Sequence, residues 1–246
     1  MPETIYPLIF LVALAYASVG HGGASGYLAV LALFGFSPSS MAPSALALNL
    51  LVSATAFWAY SRAGYFVPRL FWPFAAASVP MAFLGGLLEI PVRIYSWLLA
   101  AALLFAAVRI TLEGLRSAEE TLVRPPRLGI ALPVGAGIGF LSGVVGVGGG
   151  IFLSPILLLM RWADAKRTSA ASAAFIWVNS AAGLYGHITR KGLDAAELWP
   201  MVLAAFLGGI IGAQIGARRL SSAALRFALA GVLIVAAFKM SRIALL

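Results

Sequence analysis

The chain has 246 residues, of which 62% are hydrophobic and another 26 are glycine, while only 10% are charged. A soluble domain carries about 25% charged residues, so 17 basic and 8 acidic side chains are too few to coat a globule of this size, and the same composition excludes a disordered chain. The net charge of +9 does not indicate nucleic acid, because the basic residues sit in short caps between apolar runs, where the lipid bilayer and its anionic headgroups are the partner.

A helix crosses the hydrocarbon core with about 20 apolar residues. In chain order the apolar runs are Ile5–Val19, Tyr27–Gly35, Pro38–Tyr60, Leu70–Leu88 and Ile94–Leu112. After a polar stretch from Glu113 to Arg127 come Leu128–Val145, Ile151–Met160, Ala165–His187, Leu198–Ala217 and Ser222–Met240. The second run of each set is too short to span, and none shows the alternation of a barrel strand. Met1-Pro2-Glu3-Thr4 lacks the basic start of a signal peptide, so the first run is expected to be retained. The absence of cysteine removes disulfides, thiolate metal sites and cysteine catalysis, and nothing calls for a cofactor. The fold expected is an all-α integral membrane protein of the cell membrane. It divides into a membrane repeat over 1–112, a cytoplasmic linker over 113–127 and a second membrane repeat over 128–246.

The two sets correspond. Ser37-Pro38 and Asp164-Ala165 open helices of equal length that end at Tyr60 and His187, with Ser37 or Asp164 as the expected cap. Trp72-Pro73-Phe74 matches Trp199-Pro200-Met201, and Ala82-Phe83-Leu84-Gly85-Gly86 matches Ala205-Phe206-Leu207-Gly208-Gly209. Phe105-Ala106-Ala107-Val108-Arg109 matches Val235-Ala236-Ala237-Phe238-Lys239. The loop charges reverse between the halves. Arg62 and Arg69 mark a basic loop whose counterpart, with Arg190, Lys191, Asp194 and Glu197, is balanced. The uncharged loop before Pro38 corresponds instead to one holding Arg161, Lys166 and Arg167, and the neutral loop Glu89–Arg93 to Arg218 and Arg219. The expectation is therefore two inverted repeats, each of about four spanning helices plus one short half-helix. With basic loops inside, both termini lie outside and the linker is cytoplasmic. Inverted repeats with interrupted helices are a transporter architecture whose site lies where the interruptions meet.

Each short segment follows a glycine-rich break, Gly20-His21-Gly22-Gly23-Ala24-Ser25-Gly26 in the first half and Gly143 to Gly150 in the second. Glycine lets such backbone bend and a ligand approach it, and the half-helix beyond begins with unpaired amides and a partial positive charge. All eight carboxylates fall in loops or at segment ends, so a site of helix amino ends, hydroxyls and amides suits an anion. The candidate binding residues from the breaks are His21, Gly22, Gly23, Ser25, Gly148, Gly149 and Gly150. From the following helices they are Ser44, Asn49, Ser172 and Asn179, with Ser154 near the start of the second half-helix and Asn49 near mid-membrane. His21 is the titratable side chain of a break and could carry a coupled proton; a sodium ion, held by carbonyls and hydroxyls, is the other coupling ion left open. Gly85-Gly86 and Gly208-Gly209 read as packing glycines and His187 as a cap or interface residue. The tryptophans read as an aromatic belt, with Trp177 deeper in the core.

At these residues the chain resembles the TauE/SafE family of sulfite-exporter-like membrane proteins. The resemblance is carried by Gly146-Val147-Gly148-Gly149-Gly150 with Pro155, by Ala170-Ala171-Ser172, and by Val178-Asn179-Ser180-Ala181-Ala182-Gly183. It implies outward transport of sulfite, sulfoacetate or a related organosulfur anion, and a lining from Gly148, Gly149, Gly150 and Ser172 with Asn179 nearby. The first half departs from the pattern: His21 precedes Gly22-Gly23-Ala24, no proline follows, and Ala42-Pro43-Ser44 replaces an Ala-Thr-Ser-like stretch. The function expected is a secondary transporter of a small sulfur-containing oxyanion working by alternating access, with an anion channel of the same architecture as the alternative. An enzyme is disfavoured, because cysteines and mid-membrane acids are lacking and two histidines leave no base and nucleophile pair.

Overall fold

The computed structural model describes residues 3–114, 126–192, 195–218 and 223–245. Most of the predicted linker, Asp194, Arg219 and Ser222 fall outside them. The described residues form ten helices: α1 Ile5–Ala17, α2 Ala24–Leu33, α3 Pro38–Arg62, α4 Pro68–Leu87, α5 Val92–Gly114, α6 Leu128–Val145, α7 Gly150–Leu159, α8 Ala165–Lys191, α9 Ala195–Arg218 and α10 Ala223–Leu245. Five are long and apolar enough to cross a membrane: α3, α4, α5 over Val92–Arg109, α6, and α9 over Leu198–Ala217. The short elements α2 and α7 hold 10 residues each, a length of about 15 Å that reaches halfway through a core about 30 Å thick.

The packing repeats between the halves. Helix α4 packs on α6 as α9 packs on α1, α4 meets α8 as α9 meets α3, and α5 lies against α10. Helices α3 and α8 cross antiparallel: Leu46 lies by Gly183, Asn49 by Ser180 and Phe57 by Trp177. Small residues permit these approaches, as in other membrane bundles. Gly135, Gly139 and Gly143 of α6 sit against the backbone at Phe74, Ser78 and Ala82 of α4. Gly208, Gly212 and Gly216 of α9 sit likewise against Phe10 and Leu14 of α1 and Ser18 just past its end. Gly85 and Gly86 also meet neighbouring backbone, at Phe140 and Gly183. The contacts pair Gly85 with Gly212, since these face Phe140 and Leu14 respectively. The sequence match that set Gly85 beside Gly208 is one helical turn out of register, an easy slip between two alanine- and glycine-rich stretches.

Two other local expectations change. Asp164 caps α8 as expected, its carboxylate accepting from the Arg167 amide at 2.9 Å, but the Ser37 hydroxyl turns to Ser39 and Ser40 and leaves the α3 amides alone. Trp177 is not core. It is 40% exposed and stacks on Phe57 at the lipid-facing surface, whereas Trp162, placed in the belt, is buried against Phe74. Trp58, Trp72, Trp97 and Trp199 are exposed as a belt requires.

Candidate functional site

Both breaks owe their shape to glycines in the left-handed region, where a Cβ would collide with the following carbonyl. Gly20 and Gly23 in the first (φ 75° and 96°) correspond to Gly146 and Gly149 in the second (φ 86° and 81°). Gly23 and Gly149 are the residues from which α2 and α7 start. Helix α2 begins beside Asn49, in the middle of α3, and ends at Leu33 just before α3 starts. Helix α7 begins beside Ser172 and Ile176, in the middle of α8, and ends just before α8 starts. Because α3 and α8 are antiparallel, α2 and α7 run towards opposite ends of the bundle, and their amino ends face the middle.

Asn49 joins the two breaks. Its Oδ1 accepts from the Ala24 amide, the first residue of α2, at 3.2 Å, and its Nδ2 donates to Ser180 Oγ of α8 at 2.8 Å. The glycines beside it have no room for a side chain: a methyl on Gly22 would overlap the Asn49 carbonyl oxygen, and one on Gly148 the Asn49 amide nitrogen. The same two positions touch Ile176, which occupies on α8 the place that Asn49 occupies on α3. A polar and an apolar side chain therefore share the space between the breaks, one from each half.

A second cluster crosses the halves nearby. His21 Nε2 shares a hydrogen bond with Ser154 Oγ of α7 at 2.9 Å, and Ser154 Oγ shares another with Ser172 Oγ of α8 at 2.8 Å. His21 Nδ1 lies 3.1 Å from the Val19 carbonyl, which also accepts from Ser169 Oγ at 2.9 Å. On α2, Ser25 Oγ bonds the Tyr16 hydroxyl of α1 at 2.8 Å. The outer ends of the breaks are tied down in matching fashion: the Tyr60 hydroxyl donates to the Ser18 carbonyl at 3.0 Å, and His187 Nε2 lies 2.9 Å from the Gly143 carbonyl. His187 is thus the interface residue expected. At the Tyr60 end Lys166 caps the end of α9, donating to the carbonyls of Gly216 at 2.6 Å and Ala217 at 3.3 Å and facing the rings of Tyr60 and Tyr65.

Of the predicted site residues, Gly22, Asn49 and Gly148 meet directly, and His21 and Ser172 meet through Ser154. Gly150 packs against Ile176 and its carbonyl accepts from Ser154, while Ser25 bonds Tyr16. Gly23 and Gly149 serve as the starts of the half-helices and lie against Tyr27 and Phe175. Asn179 turns away from the meeting point: its Nδ2 donates to its own helix at the Phe175 carbonyl, and its neighbour Ser180 reaches Asn49 instead. Ser44 is buried on α3, and no described hydrogen bond joins it to either cluster. Tyr16, Tyr27 and Ile176 are not among the predicted site residues, and Ser180 is read from the sequence only as a polar residue of its helix and part of the family motif. The legible signal was a tyrosine one turn into the half-helix. Glu3 and Glu89 are exposed and Asp164 is half-buried, and among the described residues no group of His, Asp or Glu is arranged to hold a metal.

Two short helices that start from glycine breaks and turn their amino ends to the middle of an all-helical membrane bundle are an arrangement found in membrane transporters. Residues 5–240 match the family described as Sulfite exporter TauE/SafE, and the chain belongs to that family. It is 41% identical over 233 residues to a protein of Sinorhizobium fredii named "Probable membrane transporter protein y4hK", an alignment that covers 94% of each chain. No solved structure matches it.

Proposed function

We propose that the chain is a secondary transporter that exports a small sulfur-containing oxyanion, sulfite or an organosulfonate, by alternating access of two inverted repeats. The observation that carries the reading is that the first amide of α2 and Gly148, just before α7, both lie against Asn49, with Ser180 and Ile176 beside it. Each amino end contributes about half a unit of positive charge. A low-dielectric site with that potential and without a carboxylate favours an anion. Inversion is supported by the antiparallel crossing of α3 and α8 and by the exchange of partners between α4 with α6 and α9 with α1. Sidedness is supported by Lys166, whose contacts gather the ends of α3 and α9 and the start of α8, all flanked by basic loops, at one end of the bundle. That end is taken as cytoplasmic, which puts both termini outside and the 113–127 linker inside. His21, Gly22, Gly23, Ser25, Asn49, Gly148, Gly149, Gly150 and Ser172 line the substrate's place in this reading, with Ser44 and Asn179 behind them.

The test is flux in proteoliposomes. Sulfite or methanesulfonate should move, and labelled anion should accumulate by counterflow against unlabelled anion. Cation flux without anion flux would overturn the reading, and anion flux that only dissipates gradients would make the protein a channel.

A further inference from the structure

We infer that the Tyr27 hydroxyl is a binding donor for the transported oxyanion at the amino end of α2; this rests on the carrier reading above. Tyr27 is fully buried, yet its hydroxyl has no hydrogen-bond partner among the described residues. Side chains on a helix lean back towards its amino end, and the Tyr27 ring does so over the first turn of α2. A methyl on Gly23, the left-handed residue from which the helix starts, would lie 2.9 Å from the Tyr27 hydroxyl oxygen. The unpaired hydroxyl is therefore aimed at the glycine break, where the amides of the first turn and the helix dipole favour negative charge.

A buried hydroxyl without a partner gives up water and receives nothing in return; among the described residues Ser61, Ser78, Ser96, Ser142 and Thr168 share that state, and Tyr27 is the one set against Gly23, from which α2 starts. Tyr27 is not short of polar surroundings. The Ser25 and Tyr16 hydroxyls nearby bond each other at 2.8 Å, and the Ala24 amide is taken by Asn49. The group left over points at the place where the carrier reading needs a donor. The second half offers no equivalent: the matching position one turn beyond Gly149 is Leu153, buried and apolar. The donor is thus supplied by the first half alone, the half that departs from the glycine-proline pattern.

Tyr27→Phe removes one oxygen and no packing, so ligand and fold can be separated. Purified full-length protein in lipid nanodiscs is titrated with sulfite and with methanesulfonate, and the ligand-free melting temperature is recorded for wild type and variant. A hydrogen bond to a charged group corresponds to roughly 10- to 100-fold in affinity. The expected result is a rise in Kd of at least about tenfold for Tyr27→Phe, with a ligand-free melting temperature equal to or above that of wild type, since a buried orphan has been removed. Unchanged Kd values would overturn the Tyr27 assignment while leaving the carrier reading in place. A ligand-free melting temperature that falls would show a structural role and also overturn it. Wild type that binds neither anion would overturn the carrier reading and this inference with it.

Discussion

The bridge from Asn49 to Ser180 makes the sharpest quantitative prediction, because it links the two halves through one pair of fully buried side chains. Asn49→Ala removes the 2.8 Å bond to Ser180 and the 3.2 Å bond from the Ala24 amide, orphaning both partners at the centre of the bundle. Each orphan costs about 1–3 kcal/mol by soluble-protein standards. Side-chain hydrogen bonds between membrane helices average about 0.6 kcal/mol and reach about 1.7. The membrane values govern here, because the unfolded helices in lipid also find partners. Asn49→Ala is therefore expected to cost about 2 kcal/mol and Ser180→Ala about 1 kcal/mol. For a chain of this size that is a fall in melting temperature of about 4–8 °C for the first and about 2–4 °C for the second. The double variant decides the matter. If the two side chains bond each other, the combined loss falls short of the sum by about 0.6–1.7 kcal/mol, measured by reversible unfolding in mixed micelles. A shortfall below about 0.3 kcal/mol, within the scatter of independent sites, would refute the bridge. Counterflow on the same variants should show both singles impaired and the double no worse than Asn49→Ala.

Gly148→Ala should abolish transport, because its methyl would overlap the Asn49 amide at a residue with φ of 76°, whereas Gly64→Ala, at φ 82° with nothing within 4 Å, should cost only the backbone term of about 1–2 kcal/mol and transport normally. Equal transport by the two would show that strain, not the Asn49 contact, matters at Gly148. Lys166→Met removes the cation that caps α9 at Gly216 and Ala217, an interaction expected to contribute about 1–2 kcal/mol. Amide hydrogen exchange over residues 212–218 should quicken roughly 5- to 30-fold; unchanged exchange would refute the cap.

What the sequence by itself determined is whatever depends on neighbours along the chain. Hydropathy runs placed the ten described helices to within about five residues at their ends, since the number of apolar residues needed to cross lipid is a length that can be counted. The glycine clusters placed both breaks, since only glycine takes left-handed backbone without strain, as at Gly20, Gly23, Gly146 and Gly149. The apolar runs and the family resemblance gave the membrane-transporter class that the family match shows. The tertiary structure decided which side chains meet. These helices are apolar nearly all round, because one face meets lipid and the other meets protein, so periodicity does not mark the inner face. Trp177 could thus be read as core when it faces lipid, and Asn179 as lining when Ser180, one residue on, reaches Asn49. Helix rotation and register come from small-residue contacts such as Gly139 against Ser78, and those contacts pair residues far apart in the chain. The same holds for the space between the breaks: that Asn49 and Ile176 are counterparts and share it follows from the antiparallel crossing of α3 and α8, which no local pattern of residues encodes.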